Sequence, residues 1–112
     1  MAITILFDGL NQVGYSIAKA LDREKKSFHR IGFDFDLGVM REARKAGLIE
    51  PAHDGLTAAA KADIVIIDQP ADVVEEHYQI IGEVLRPKAT LIDTSAIPIM
   101  SGKWAEEYMP QE

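Results

Sequence analysis

The chain has 112 residues, of which 47% are hydrophobic and 27% are charged, enough for one folded domain with its own core. Its net charge of -6, with Lys and Arg scattered along the sequence, argues against a clustered basic face for nucleic acid. It has no cysteine, no apolar run near the length of a membrane span and no basic leader segment. We therefore expect a single domain, residues 1–112, that is cytoplasmic and binds neither nucleic acid nor a membrane.

Strand and helix patterns alternate along the whole chain. Strand composition occurs at residues 3–7, 28–34, 64–68 and 89–94, and more weakly at residues 48–52. Helical spacing of apolar residues occurs at residues 13–21, 40–47, 57–61, 73–85 and 100–108, and Gly47 is placed to end the second of these helices. Near-continuous apolar strands separated by helices predict an α/β fold, a doubly wound, mainly parallel sheet with right-handed crossovers.

The turn after the first strand, GLNQVG at residues 9–14, is close to the G-x-G-x-x-G pattern of dinucleotide-binding turns. Gly9 allows the sharp turn out of the strand, and Gly14 allows close packing of helix on strand. In that pattern the middle glycine lets the backbone approach a pyrophosphate, and here Asn11 replaces it. Asparagine tolerates left-handed backbone angles, so we expect the turn to form, and we expect Asn11 and the nearby carboxylate of Asp8 to weaken phosphate binding. The alternative is an ordinary strand-to-helix turn.

Acidic residues lie at or near the carboxyl ends of three of the predicted strands. Asp34 lies twenty positions after Gly14, the spacing of an acid that accepts from the ribose hydroxyls of a dinucleotide. An acid there repels a 2′-phosphate, which favours NAD over NADP, and a helix-capping acid is the alternative. Asp68 and Asp93 are candidates for a pair of catalytic or Mg²⁺-binding carboxylates, against the simpler interpretation of solvated or capping residues.

Longer segments carry a family resemblance. The opening at residues 9–16 resembles GLGLIGGS, IGFDFD at residues 31–36 resembles a second strand with its ribose acid, and IDTSAIPIMSGKWAEEYMP at residues 92–110 resembles a fifth strand and helix. In order and nearly end to end, the chain resembles the nucleotide-binding domain of the prephenate and arogenate dehydrogenase family. The resemblance implies a Rossmann-like NAD(P)-binding domain, with NAD as cofactor. In the complete family enzyme the reaction is hydride transfer to NAD with oxidative decarboxylation.

Ligands of such sheets bind beyond the carboxyl ends of the strands, at the switch point beside the first strand. We expect the turn to hold the pyrophosphate, Asp34 the ribose, and Gln69 and Pro70 to lie near the nicotinamide half. The candidate cofactor-binding residues are Gly9, Leu10, Asn11, Gln12, Val13, Gly14, Asp34, Phe35, Gln69, Pro70 and Thr94.

Departures from the family bear on catalysis. Ala96 and Pro98 stand where members carry a serine and a lysine, and Ser95 lies one position early. The family's catalytic histidine and helical domain lie beyond Glu112, so we expect no catalytic residue here and no complete active site in these 112 residues. A non-catalytic binding or assembly module with a degenerate nucleotide site is the alternative function.

Two further expectations concern histidines and association. His29, His53 and His77 match no catalytic position and are interpreted as a strand, a loop and a helix-stripe residue. The strand at residues 89–94 would leave an uncovered sheet edge, so we expect a homodimer or association through that edge.

Overall fold

A computed structural model describes residues 2–24, 26–94 and 106–110. Five strands alternate with four helices in the described part of the chain. In chain order they are β1 (Ile3–Asp8), α1 (Gln12–Ala20), β2 (Phe28–Phe33), α2 (Leu37–Lys45), β3 (Glu50–Pro51), α3 (Gly55–Lys61), β4 (Ile64–Ile67), α4 (Val74–Gly82) and β5 (Thr90–Asp93). A short 3-10 helix, Leu21–Glu24, extends α1, and residues 106–108 are helical.

The five strands form one sheet in the order β3-β2-β1-β4-β5, and every neighbouring pair is parallel. The strand order reverses between β1 and β4, because the chain adds β2 and β3 on one side of β1 before it crosses to the other. This is the switch point of a doubly wound sheet, where the loops on either side separate and leave a crevice. The predicted fold class is confirmed.

Helices cover both faces of the sheet. Ile5 and Phe7 of β1 face one layer, where they pack with Ala18 of α1 and Ala43 of α2. Leu6 faces the other, with buried residues of α3 and α4. Because both faces are covered, consecutive residues of β1 and β4 are buried, which explains their near-continuous apolar sequences.

Element boundaries depart from the sequence patterns by a few residues. β2 and β4 each end one residue before the predicted Asp34 and Asp68, so both acids lie in the loops that follow. α2 ends at Lys45, with Ala46 as its C-cap and Gly47 next at a φ of 74°, as predicted for a glycine stop. The expectations for Ser95, Ala96, Pro98, Met100 and Trp104 concern positions outside the described residues.

Candidate functional site

The turn between β1 and α1 lies at the carboxyl edge of the sheet, over the switch point. Gly9 has a φ of 97°, and a Cβ there would overlap the backbone carbonyl of Asp68. The position therefore accepts glycine alone, for its backbone angle and for the close approach of β4. Its amide donates to the Phe33 carbonyl at 2.8 Å, which fixes the turn to the end of β2.

Asn11 begins α1 and has an ordinary extended backbone, with a φ of -75°. The backbone here therefore does not use the left-handed angles that asparagine tolerates. Its side-chain amide donates to the Asp68 carbonyl at 2.9 Å, so it ties the turn to β4. The side chain that replaces the middle glycine is thus held by a hydrogen bond that helps to fix the turn.

The first turn of α1 has one amide already bound to an acid of the chain. Asp68 is 5% exposed, and its Oδ2 accepts from the Gly14 amide at 2.6 Å. Its Oδ1 accepts from the Thr94 hydroxyl at 2.7 Å. A Cβ on Gly14 would come within 2.7 Å of Asp68 Oδ2, so this glycine is needed for the approach.

Gln12 and Val13 lie in the first turn of α1, so their backbone amides have no acceptor inside the helix. Among the described residues no acceptor contacts either of them. With the Asn11 amide, which likewise has no acceptor among the described residues, they are the donors of the turn that remain open to an anion at the positive end of the helix.

Asp34 is fixed by the turn that it faces. Its Oδ2 accepts from the Leu10 amide at 2.8 Å, and its Oδ1 accepts from the Asp36 amide at 2.8 Å. An ionised carboxylate has about four acceptor positions. Both oxygens therefore keep capacity for further donors such as ribose hydroxyls, while the two amides hold the carboxylate in place.

Two cavities share lining residues at this edge of the sheet, and one of them opens beside Asp34. The larger, of about 430 Å³, is lined by Asn11, Asp34, Phe35, Gln69 and Pro70 together with residues of α4. The smaller, of about 270 Å³, is apolar and lies between β1, α3 and α4. Phe35 and His77 line both cavities, and in the described residues neither cavity is lined by a lysine or arginine.

An acid–histidine pair lies where these cavities meet. His77 Nδ1 lies 2.6 Å from Asp8 Oδ2, and the side chains of His77 and Asp8 are 15% and 8% exposed. Gln69 donates to the other oxygen of Asp8 at 3.2 Å. The hydrogen bond to Asp8 raises the pKa of His77 above its ordinary value of 6.5, although burial acts in the opposite direction.

The interpretation of His77 as a simple helix-stripe residue missed this pair, because the two residues are separated by 69 positions. One signal was present in the sequence. Asp8 is an acid at the end of an otherwise apolar strand, and a buried acid requires a partner. A search for that partner leads to the polar member of the apolar stripe of α4, which is His77. His29, by contrast, pairs with Glu50 at an exposed position, and His53 is an exposed loop residue.

Some of the remaining candidate residues line the cavity, and others are hydrogen-bonded within the chain. Gln69 and Pro70 line the same cavity as Asp34. Thr94 is engaged by Asp68 rather than open to the crevice, and it also donates to the Ile67 carbonyl at 3.1 Å. Asp93 accepts from the Tyr78 hydroxyl at 3.0 Å. Asp68 and Asp93 thus accept from different donors.

The sequence matches the family described as prephenate dehydrogenase, nucleotide-binding domain, over residues 17–110. The chain belongs to this family, as the resemblance in its sequence predicts. The match begins after the turn, so Asp8 and Asn11 lie outside it.

Three solved dehydrogenases share the fold. A prephenate dehydrogenase from A. aeolicus, solved with hydroxyphenyl propionate and NAD+, superposes with a TM-score of 0.72 and 23% identity, over 83% of this chain and 33% of that one. Synechocystis arogenate dehydrogenase gives 0.75 and 21%, over 95% and 37%. Mycobacterium tuberculosis 3-hydroxyisobutyrate dehydrogenase gives 0.77 and 25%, over 99% and 39%. The chain thus spans between a third and two-fifths of the length of these enzymes.

In the residues that the structure describes, no helix is both long and apolar enough to cross a membrane.

Proposed function

We propose that this member of the prephenate dehydrogenase nucleotide-binding family binds NAD, with NADP as the weaker ligand, in the crevice above β1 and β4. The observation that carries the proposal is the pair of open amides on Gln12 and Val13 beside a carboxylate, Asp34, that keeps free acceptor capacity. Phosphate and ribose groups need these two features side by side.

Different residues of the chain would hold different parts of the dinucleotide. Gly9 and Gly14 let the turn lie close to β4, and the amides of Gln12 and Val13 would hold the pyrophosphate. Asp34, fixed by the amides of Leu10 and Asp36, would accept from the adenosine ribose. When bound, NAD supplies a carbon that accepts a hydride; the role of this domain is to position it.

The carboxylates of the site make us expect modest affinity. Asp8, Asp34 and Asp68 all lie at the carboxyl ends of β1, β2 and β4, and Asp68 already occupies the Gly14 amide. A pyrophosphate placed near these charges is repelled, and among the described residues the open amides and a protonated His77 oppose that repulsion.

For the whole protein, we propose an oxidoreductase that acts on prephenate or arogenate, hence a step of tyrosine biosynthesis, in the cytoplasm. The family membership supports the reaction class, and the absence of cysteine supports a reducing compartment. These 112 residues by themselves should give no useful turnover, because hydride transfer also requires the substrate ring to be held against the nicotinamide.

Thermal unfolding tests the binding proposal. A ligand at ten times its dissociation constant adds about 1.4 kcal/mol to the free energy of unfolding. For a domain of this size the corresponding rise in Tm is several degrees. We expect NAD and NADH at millimolar concentration to raise the Tm, and NADP to raise it less. No shift with any of the three would overturn the proposal.

A further inference from the structure

Phe35 is the most exposed large apolar residue of the described chain, with 75% of its surface accessible. Its ring nevertheless has defined neighbours: the ring centroids of Phe33 and His77 lie 5.2 and 6.5 Å away, both in edge-on geometry. Pyrophosphate and ribose binding make no use of this aromatic group. An exposed ring beside an apolar cavity indicates a flat apolar ligand group.

His77 offers this cavity one ring nitrogen. Nδ1 is taken by Asp8, and among the described residues Nε2 has no partner. Every fully buried side-chain nitrogen or oxygen of those residues has a hydrogen bond. Because Nε2 has none, it must be at least partly exposed to solvent. Since the ring lines both cavities, Nε2 is the nitrogen that it can offer to a ligand there.

The position of Asp34 identifies the ligand group. The larger cavity is lined by Asp34, Phe35 and His77 together. If Asp34 holds a ribose, the base on that ribose must lie in the same cavity, beside Phe35 and His77. A purine is flat, and its ring nitrogens are hydrogen-bond acceptors.

We propose that Phe35 and the His77 imidazolium form the base-binding end of the site, with the Nε2 proton of His77 donated to a ring nitrogen of adenine and Asp8 acting as the positioning residue. This inference rests on the proposed dinucleotide function and adds to it the residues that recognise the base. Asp8 and His77 then form one unit, in which the acid holds the ring through Nδ1 and keeps the proton on Nε2.

Several acidic residues line the cavities around His77. Asp8 projects from β1, Asp34 and Asp36 lie in the loop after β2, Asp54 precedes α3, and Glu76 is on the helix of His77 itself. The pKa of His77 is raised by Asp8 and, more weakly, by Glu76. Above that pKa the Nε2 proton is lost and the nitrogen becomes an acceptor. Base binding should therefore weaken as the pH rises.

ADP-ribose is the probe, because it carries the base, ribose and pyrophosphate without nicotinamide. Its affinity is measured by calorimetry between about pH 6 and pH 9, around the ordinary histidine pKa. We expect the wild-type affinity to fall about tenfold as His77 deprotonates, the effect of losing one charged hydrogen bond. His77→Gln should give a flat profile, and Asp8→Asn should move the fall to lower pH.

His29→Gln is the matched control, since His29 also pairs with an acid but lies outside both cavities. It should leave the affinity and its pH profile unchanged. ADP-ribose binding with a flat wild-type profile, equal in His77→Gln, would overturn this inference and leave the proposed function standing. Absence of binding by both ADP-ribose and NAD would overturn both.

A measurement on the unaltered protein covers the case in which the variants fail to fold. The imidazole NMR signals of His77 should shift when ADP-ribose is added. They should not shift with nicotinamide mononucleotide, which lacks adenine. Unchanged His77 signals at saturating ADP-ribose would contradict the inference.

Discussion

We propose that Asp34 determines which dinucleotide fits the site. Its carboxylate accepts from the Leu10 and Asp36 amides and faces the cavity at the end of β2. A ribose with free hydroxyls adds donors to this acceptor, whereas a 2′-phosphate brings a like charge close to it. Selectivity for NAD thus follows from one negative charge in a fixed position.

Replacing Asp34 with asparagine tests this directly. Asp34→Asn keeps an oxygen for the turn amides and removes the charge. We expect NAD affinity to fall about tenfold, because charged hydrogen bonds contribute about 1.5–3 kcal/mol. NADP affinity should fall less or rise. Parallel titrations with both cofactors measure the ratio, and equal losses would mean that Asp34 only supports the turn.

We expect Asp68 to limit the affinity for an anionic ligand at the amino end of α1. Its nearly buried carboxylate holds the Gly14 amide at the positive end of α1, where an anionic ligand would gain most. Sequence reasoning anticipated a capping or solvated acid after β4. It could not identify the amide that the acid caps, because Gly14 is 54 positions away.

Asp68→Asn should bind NAD more tightly than the parent. A charge at a helix terminus contributes about 0.3–1 kcal/mol, so its removal should raise affinity by roughly two- to fivefold. The Tm without ligand should fall, because the bond from the Gly14 amide loses a charged acceptor. Asp63→Asn is the control, since Asp63 serves the Thr4 amide and Arg86 instead. Unchanged NAD affinity in Asp68→Asn would show that the pyrophosphate does not approach this end of α1.

At the scale of elements, the Asp8–His77 pair couples β1 to α4. The two side chains are mostly buried and contact at 2.6 Å. Asp8 raises the pKa of His77 above 6.5 in the folded chain. The pair therefore stabilises the fold fully below about pH 6.5, where the unfolded histidine is also charged, and this contribution is lost as the pH rises through the folded pKa.

Denaturant titrations at several pH values measure this linkage. We expect the free energy of unfolding of the wild type to fall, relative to that of His77→Gln, as the pH rises from 6.5. His77→Leu should cost about 3 kcal/mol or more, since it leaves the buried Asp8 carboxylate with Gln69 as its remaining side-chain donor. Parallel pH curves for wild type and His77→Gln would contradict the coupling.

The elements themselves follow from local patterns in the sequence. Residues 5–7 are apolar because both faces of β1 are covered, and Gly47 ends α2 because its φ is 74°. Such features depend on neighbours in the chain and can be predicted. The backbone of Asn11 and the partners of Asp8 and Asp68 depend on contacts between β1, β4, α1 and α4, which exist only in the assembled sheet. The architecture and the location of the site were therefore predictable, and its hydrogen bonds were not.

At the scale of the whole molecule, the sheet leaves β5 at one side. Among the described residues β5 pairs only with β4, and Ile92 is 42% exposed. An exposed edge strand is a template for pairing with another chain. We therefore propose that the protein associates through β5.

Sedimentation at high protein concentration tests this association. We expect a weak dimer for the wild type and a monomer for Ile92→Lys, because a charge on an edge strand opposes pairing. Ile3→Lys is the matched control, since Ile3 is also 42% exposed but lies on β1, which has partners on both sides. A monomer at every concentration, or equal dimers in both variants, would exclude β5 as the interface.

The central claim is that a dinucleotide lies across the β1–α1 turn and beside Asp34. The most direct test is a titration of the labelled protein with NAD, followed through its backbone amide NMR signals. We predict saturable shifts for Leu10, Gln12, Val13 and Phe35, and none for residues 48–50 at the far side of the sheet. Saturation without shifts in the turn, or no shifts at millimolar NAD, would contradict the account.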